Sequence, residues 1–520
     1  MIQMRRIVQS ALIAGLSLVA GSDAPLPARQ VSLDGLSARE IHRFLQIRAG
    51  FDLARFTDEN RRHWQNATSA SADADANRAA RAVLRDRSRY ETANNAHAKG
   101  MVKTLADDTV GTGPRIQLTT DSDELNAWVE REFGKWCTAI GLADKLRTMR
   151  KAKAVDGEAF AVVRNNPRLL TRVKADLRVI ECDRVTQPYT GWPNPLDVDG
   201  IRFDEAGNPV SYTIMRRHPG AELYAGTAVD SDTVRAESVI HYFTVDRAEQ
   251  SRGVPELTPA LGLFATLRRY TMAALRAAET AAEIAAVMET NAPGYSDEEA
   301  AAAVNPYDTF DLERGAVMTL PEGWKLSQLR SEQPTTTYAM FRDKILNEIA
   351  RCLNMPFNIA VGNSSGYNYA SGRLDHQTYY KSIGIEQSII EGTILDRLLR
   401  AWLDEAVLIT GYMPTALRAR IARDDLPDHT WFWDGREHVD PVKEASAQEI
   451  RLRNHTTTLA AEYARSGKDW ETEIAQRAKE QARLKELGLT VAQAAPQAAP
   501  PDDEDDDAEP AEREEARRAA

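Results

Sequence analysis

Cysteine is scarce in this chain. Cys137, Cys182 and Cys352 are far apart, with no CxxC pair and no histidine cluster at ligand spacing. That argues against a disulfide framework and a zinc site, implies no metal or other cofactor, and fits a reducing compartment. Long clean apolar runs are missing too: no segment reaches the roughly 18 residues of a membrane span, so no membrane partner is expected. Nor is there a basic excess. Net charge is −12, of which residues 501–520, with ten acids against three arginines, supply −7. Domains that grip nucleic acid by neutralising phosphates are usually strongly basic, so the balance argues against that class while leaving DNA free to pass by.

What is present is a chain of 520 residues, 43% hydrophobic, too long for one compact core. Residues 60–110 are rich in Ala and Arg and read as two helices around a Ser/Ala/Asp loop, ended by Gly111-Thr112-Gly113-Pro114. A helix is expected from about Asp123 to Val155, interrupted near Gly141. From Glu158 to Phe243 the pattern changes to short β-rich runs, EAFAVV, LRVIE, GIRF, VSYTIM and VIHYF. Thr258-Pro259 reads as an N-cap and first helical residue, opening a helix to about Thr290 that would be nearly 50 Å long at about 1.5 Å per residue. On it, Ala273, Ala277, Ala281 and Ala285 form one i+4 row, and Ala274, Ala278, Ala282 and Ala286 the row beside it. Such a face admits a close neighbouring helix, although alanine is also simply the best helix former. Phe341, Ile345, Ile349 and Leu353 form the apolar stripe of a further helix that stops at Met355-Pro356. Another is expected from about Gly372 to Thr410, and a helical C-terminal set has plausible starts at Asp440-Pro441 and Asp469. Residues from Val491 on are low in complexity and read as disordered.

One motif suggests chemistry. Residues 362–366 read GNSSG, the pattern of a hydrolase nucleophile elbow at Ser364. An elbow needs a buried strand before the serine and a helix starting at it. Here a helix-ending proline leaves at most Asn358–Val361 for the strand, and Gly366, Asn368 and Gly372 oppose an immediate helix. Asp404, His429, His438 and His455 could nominally complete a triad, but a long chain offers such residues by chance. There is no GxxxxGK[ST], no GxGxxG after a strand and no HExxH. His218 and His241, placed in β segments, read as structural rather than as ligands. Ser364 is therefore read as part of a turn, and no catalytic residue is assigned.

Several stretches together resemble the lambda-type portal proteins of tailed bacteriophages. They are LRDRSRYETANNAHAKGMVKTLADDTVGTGPRIQL (84–118), VDGEAF (155–160), GIRFDEAGNPVSYTIMRRHPG (200–220), VIHYFTVDRAEQSRGVPELTPAL (239–261), GYNYASGR (366–373) and HVDPVKEASAQ (438–448). Their order over about residues 60–490 carries the resemblance. It implies a virion protein, assembled in the bacterial host cytoplasm into a ring of about twelve copies at one capsid vertex, through which double-stranded DNA is packaged and ejected without sequence-specific reading. The implied partners are the terminase large subunit, the major capsid and scaffold or protease proteins, and head-completion proteins. The chain lacks a phosphate loop of its own, so the packaging motor must be another protein.

The expected fold is α+β: long helices, an inserted small β module and a helical C-terminal region. The resemblance assigns 1–59 to an N-terminal arm, 60–157 and 246–415 to wing and stem helices, 158–245 to a clip-like β module, 416–490 to a crown-like region and 491–520 to the acidic tail. Gly362, Gly366, Tyr367, Asn368, Tyr369 and Arg373 then read as a shaped connector between two helices, its glycines permitting positive φ and its tyrosines packing through ring and hydroxyl. A ring uses head-to-tail contacts, for which the double alanine row offers a packing face. A mildly acidic body also avoids the drag of phosphate contacts on sliding DNA. The apolar start, with Arg5 and Arg6 before it, departs from the family pattern and formally resembles a signal peptide; an N-terminal helix or a misassigned start is the alternative. The rival functions are a secreted serine hydrolase built on Ser364 and a helical scaffold protein.

Overall fold

A computed structural model describes residues 62–187, 196–221, 230–283, 287–290, 324–327, 336–366, 369–421, 426–435 and 441–489. The chain divides into a unit ending at Ser71 and a second beginning at Ala72. In the first, the Ala67 amide closes a turn onto the Trp64 carbonyl at 3.0 Å. The apolar start, His438, Asp440 and the acidic tail lie outside the described residues.

In the second unit the Ser/Ala/Asp stretch is not a loop between two long helices; it contains the short helix α1 (Ala72–Asp75). The break falls instead at Asn95, between α2 (Arg78–Asn94) and α3 (Ala96–Val110). Asn95 is extended, and its side chain accepts the His97 amide at 3.0 Å, so one residue ends a helix and caps the next. Gly111, at φ 55°, ends α3 ahead of β1 (Arg115–Leu118). Helices α4 (Asp123–Ala139) and α5 (Leu142–Asp156) are separated at Gly141, as the pattern indicates.

Strands β2 (Glu158–Asn165), β3 (Ala175–Ile180), β4 (Asp197–Val198), β5 (Ile201–Phe203), β6 (Pro209–Met215), β7 (Ser231–Arg235) and β8 (Val239–Phe243) form two antiparallel sheets, ordered β3-β2-β8 and β4-β5-β6-β7. The sequence pattern missed β4 and β7. The first has two residues and the second is a largely exposed edge strand, so neither carries a buried alternation. Phe160, Ile180, Tyr212, Ile214 and Val239 fill the core shared by the two sheets. The first sheet also shares a core with Phe133, Trp136, Leu146 and Met149 of α4 and α5.

A 3-10 turn at Thr258–Ala260 leads into α6 (Leu261–Glu283). Leu257 is the N-cap and Thr258 is already inside the turn, its hydroxyl buried without a hydrogen-bond partner among the described residues. Helix α6 stops short of Thr290, because Val287–Thr290 (β9) pairs in an antiparallel ladder with Trp324–Ser327 (β10). Pairing with a distant strand overrides the helical preference of the alanine run. Helix α7 (Thr336–Arg351) packs on α6 and buries Ile345 and Ile349, with Leu353 just beyond its end, but Phe341 stays half exposed, edge-on to Tyr270 of α6 at 4.9 Å.

Helix α8 (Phe357–Val361) is followed by α9 (Tyr369–Ile390), which passes through a π-helical turn at Glu391–Leu395 into α10 (Asp396–Leu408). Helix α11 (Thr415–Ile421) leads to β11 (His429–Phe432), which pairs with β1; α12 (Pro441–Arg453), α13 (Leu459–Arg465) and α14 (Trp470–Glu486) complete the chain. Asp469 caps α14 through the Glu471 and Thr472 amides. Long helices with small sheets make the fold α+β.

Candidate functional site

Helix α2 carries Arg78, Arg81, Arg85 and Arg89 at helical spacing on the face toward the β module. Arg81 pairs with Asp199. Arg85 reaches Asp183 at 2.7 Å, and Arg89 bridges Asp156 and Asp183 at 2.7 Å each. At the centre is Glu158, the first residue of β2, which is wholly enclosed. Its carboxylate accepts from Arg252 Nη2 at 2.7 Å and Nε at 2.8 Å, and from the Gly253 amide at 3.2 Å; His241 Nε2 lies 3.0 Å away. Arg252 is 1% exposed. Its Nη1 donates to the Val185 and Asp199 carbonyls at 3.1 and 2.5 Å.

Burial raises the Glu158 carboxyl, but the charge of Arg252 and the bonds from His241 and Arg252 outweigh it, holding the group well below the usual carboxylate range. Burial dominates at His241 and lowers its pKa despite Glu158. That ring stacks between Phe160 and Phe243, each at 4.2 Å. At Asp183, burial is outweighed by Arg85 and Arg89, which bring the carboxyl down to about 2.

The backbone is fitted just as closely. A Cβ on Gly157, where φ is +92°, would lie 2.4 Å from the Val254 carbonyl carbon, and one on Gly253 would lie 2.1 Å from the Gly157 oxygen. Only glycines let these two segments cross. A second network continues from α5: Arg150 pairs with Glu256 at 3.0 Å, and Lys153, 1% exposed, with Glu386 of α9 at 2.6 Å. Tyr242 donates to the same carboxylate, and Tyr379 to Asp108 at 2.8 Å.

Residues 57–387 match the family described as phage portal protein, lambda family. The chain belongs to that family. A probable portal protein of Halomonas phage phiHAP-1 is 25% identical over 434 residues, spanning 78% of this chain and 81% of that protein. Among solved structures, the neck of an empty GTA particle computed with C6 symmetry matches at 13% identity and TM-score 0.41, over 65% of this chain and 92% of that one. An HK97 family phage portal protein from Corynebacterium diphtheriae matches at 13% identity and TM-score 0.26, over 56% and 85%.

Every residue of this portal chain's two networks, Arg81 through Glu386, lies inside the matched span. VDGEAF and the SRGVPE segment meet face to face through Gly157, Glu158, Arg252 and Gly253. The arginines are forks with carboxylates and carbonyls already in them, and the central carboxylate is saturated with donors. Such an arrangement fixes α2, the β module and the approach to α6 relative to one another. Sequence reasoning quoted both segments without seeing that they pair. The available signal was the arginine row of α2, whose i+3 and i+4 spacing calls for an acidic partner face.

The expected site residues are placed elsewhere. Ala273 and Ala277 on α6 are exposed, and Ala274 and Ala278 are half-buried. Ala281 and Ala282 are helical, while Ala285 and Ala286 lie outside the described residues. Exposed Met272 and Leu275 share this part of the helix. Gly362, at φ 71°, ends α8, and Gly366 is exposed. Tyr367 and Asn368 lie outside the described residues; Tyr369 opens α9, and Arg373 is exposed on it. Ser364 sits exposed in the turn between α8 and α9, and the segment before it is helix rather than strand. His429 bonds the Pro427 carbonyl at 2.8 Å and lies 3.2 Å from Asp396, both remote in sequence from Ser364. His218 is not in a strand. It lies just past β6 and accepts the Gly220 amide at 3.0 Å.

Proposed function

We propose that the protein is a non-catalytic subunit of a ring of about twelve copies at one capsid vertex, through which double-stranded DNA enters the capsid and later leaves. Membership of the portal family over residues 57–387 carries this reading. The terminase large subunit would dock on one side and head-completion proteins on the other, with capsid and scaffold or protease proteins around the rim. The protein would assemble in the host cytoplasm and reside in the virion. Two features fit a subunit that bears load without gripping its cargo: the ion networks that rigidify the matched span, and a mildly acidic body that neutralises few phosphates. Electron microscopy of the purified chain tests it. Closed rings are expected, and a protein that stays monomeric both alone and in particles would overturn the reading.

Within the ring, residues 60–157 and 246–415 are proposed as wing and stem helices and 416–490 as the crown-like region. The clip-like role of 158–245 has a competitor. The first sheet of that module shares its core with α4, α5 and α10, which ties it to the body. Ladder β9–β10 instead joins the chain leaving α6 to the chain approaching α7, two helices packed side by side. A clip-like role for the segment that opens and closes on the β9–β10 ladder fits this arrangement, with 158–245 as part of the wing. Replacing 287–327 by a short Gly/Ser turn should then leave ring formation intact and abolish terminase binding in a pull-down. Retained binding would return the role to the β module.

A further inference from the structure

A cavity of about 650 Å³ opens between α4, β1, the start of α5 and the first turn of α14. Its floor is apolar, made by Ile116, Phe133, Leu142 and Phe432, and Glu130 and Asp469 stand in its wall. Glu130 Oε1 accepts the Leu118 amide at 2.8 Å, while Oε2 has no hydrogen-bond donor among the described residues. The charged groups facing this carboxyl are mostly acidic. Asp469 and Glu471 come from the start of α14, with Asp123 of α4 beside Glu471; Asp144 of α5 also lines the cavity but is already ion-paired with Arg147 of the same helix. The cation in the lining is Arg115 of β1, which is occupied: its Nη1 donates to the Gly467 carbonyl at 2.8 Å, and Nη2 lies 3.9 Å from Asp434. Cys137 also lines the space, and burial keeps its thiol protonated by raising its pKa.

Burial, with Asp469 and Glu471 nearby, pushes the Glu130 carboxyl up to about 7. A carboxylate surrounded by like charge and left without a cation is costly, and a cation brought to it returns that cost. An apolar floor next to a carboxylate matches a side chain with an alkyl stem and a charged tip. We propose that this cavity receives an arginine or lysine side chain presented by a partner protein, with Glu130 as its counter-ion and the apolar floor under its stem. Since only the ionised carboxylate pairs with the cation, binding releases a proton and strengthens as pH rises through 7.

The test uses the full-length protein, titrated calorimetrically with N-acetyl-arginine amide at pH 6 and pH 8. Affinity should be about tenfold tighter at pH 8, the ratio of the ionised fractions of a group titrating near 7. Glu130→Gln, which keeps an oxygen for the Leu118 amide, should abolish both the pH dependence and most of the binding. Running the titration on free protomers and on assembled rings assigns the donor. Binding seen only in free protomers makes the partner a second copy of this chain, and binding in both forms makes it a different protein. The proposal falls if neither form binds, if a neutral N-acetyl-norleucine amide binds equally well, if Mg²⁺ alone displaces the probe, or if Glu130→Gln binds like the parent.

Discussion

Glu158 shows how much depends on one enclosed side chain. Glu158→Gln leaves Arg252 charged, buried and facing a neutral amide, which should cost about 3–5 kcal/mol, read as a lower urea midpoint. Combining Glu158→Leu with Arg252→Met should recover much of that loss, because replacing both members of a buried pair is often close to neutral. A double variant no more stable than the sum of the singles would mean that the two side chains are not coupled. The pH dependence has a definite sign. Arg252 and His241 hold the folded-state pKa of Glu158 below its unfolded value, so its contribution is present above about pH 4.3 and is lost as pH falls below it. Acid unfolding of the parent should therefore be steeper than that of Glu158→Gln.

At the scale of elements, the helices of this chain are set by capping as much as by periodicity. Asn95 ends α2 and caps α3, where the sequence pattern had placed no break. Asn95→Ala should cost about 1 kcal/mol, measured as a lower thermal midpoint, while Asn95→Ser should restore most of it. No loss in the alanine variant would show that tertiary packing alone sets the break. The end of α6 teaches the converse lesson. Its alanines favour helix through Thr290, yet β9 begins at Val287, because a ladder partner far along the chain offers bonds that local propensity does not count. Asp469, by contrast, was legible as a helix start, since an N-cap acts within its own turn.

For the whole molecule, the question is which surfaces the protomer leaves open. The second half of α6 exposes Met272 and Leu275 together with Ala273 and Ala277. If the face bearing Ala273 and Ala277, one turn apart, packs against a neighbour in the proposed ring, Ala273→Glu combined with Ala277→Lys should leave the circular dichroism of the protomer unchanged and shift native mass spectra from rings to small species. Rings of unchanged size would place the interface elsewhere and leave the alanine rows with only a propensity role.

By itself, the sequence determined the α+β character, most strands of the β module, the helices at Gly141 and Asp469, and, through ordered motifs, the portal family. Those features are local, or written in residue order. The pairing of Glu158 with Arg252, the crossing of Gly157 and Gly253, the Lys153–Glu386 bond and the acidic cavity at Glu130 were decided only in the tertiary structure. Each joins residues far apart in the chain, and burial, which sets both the strength of an ion pair and the pKa of a carboxyl, exists only once those segments have packed.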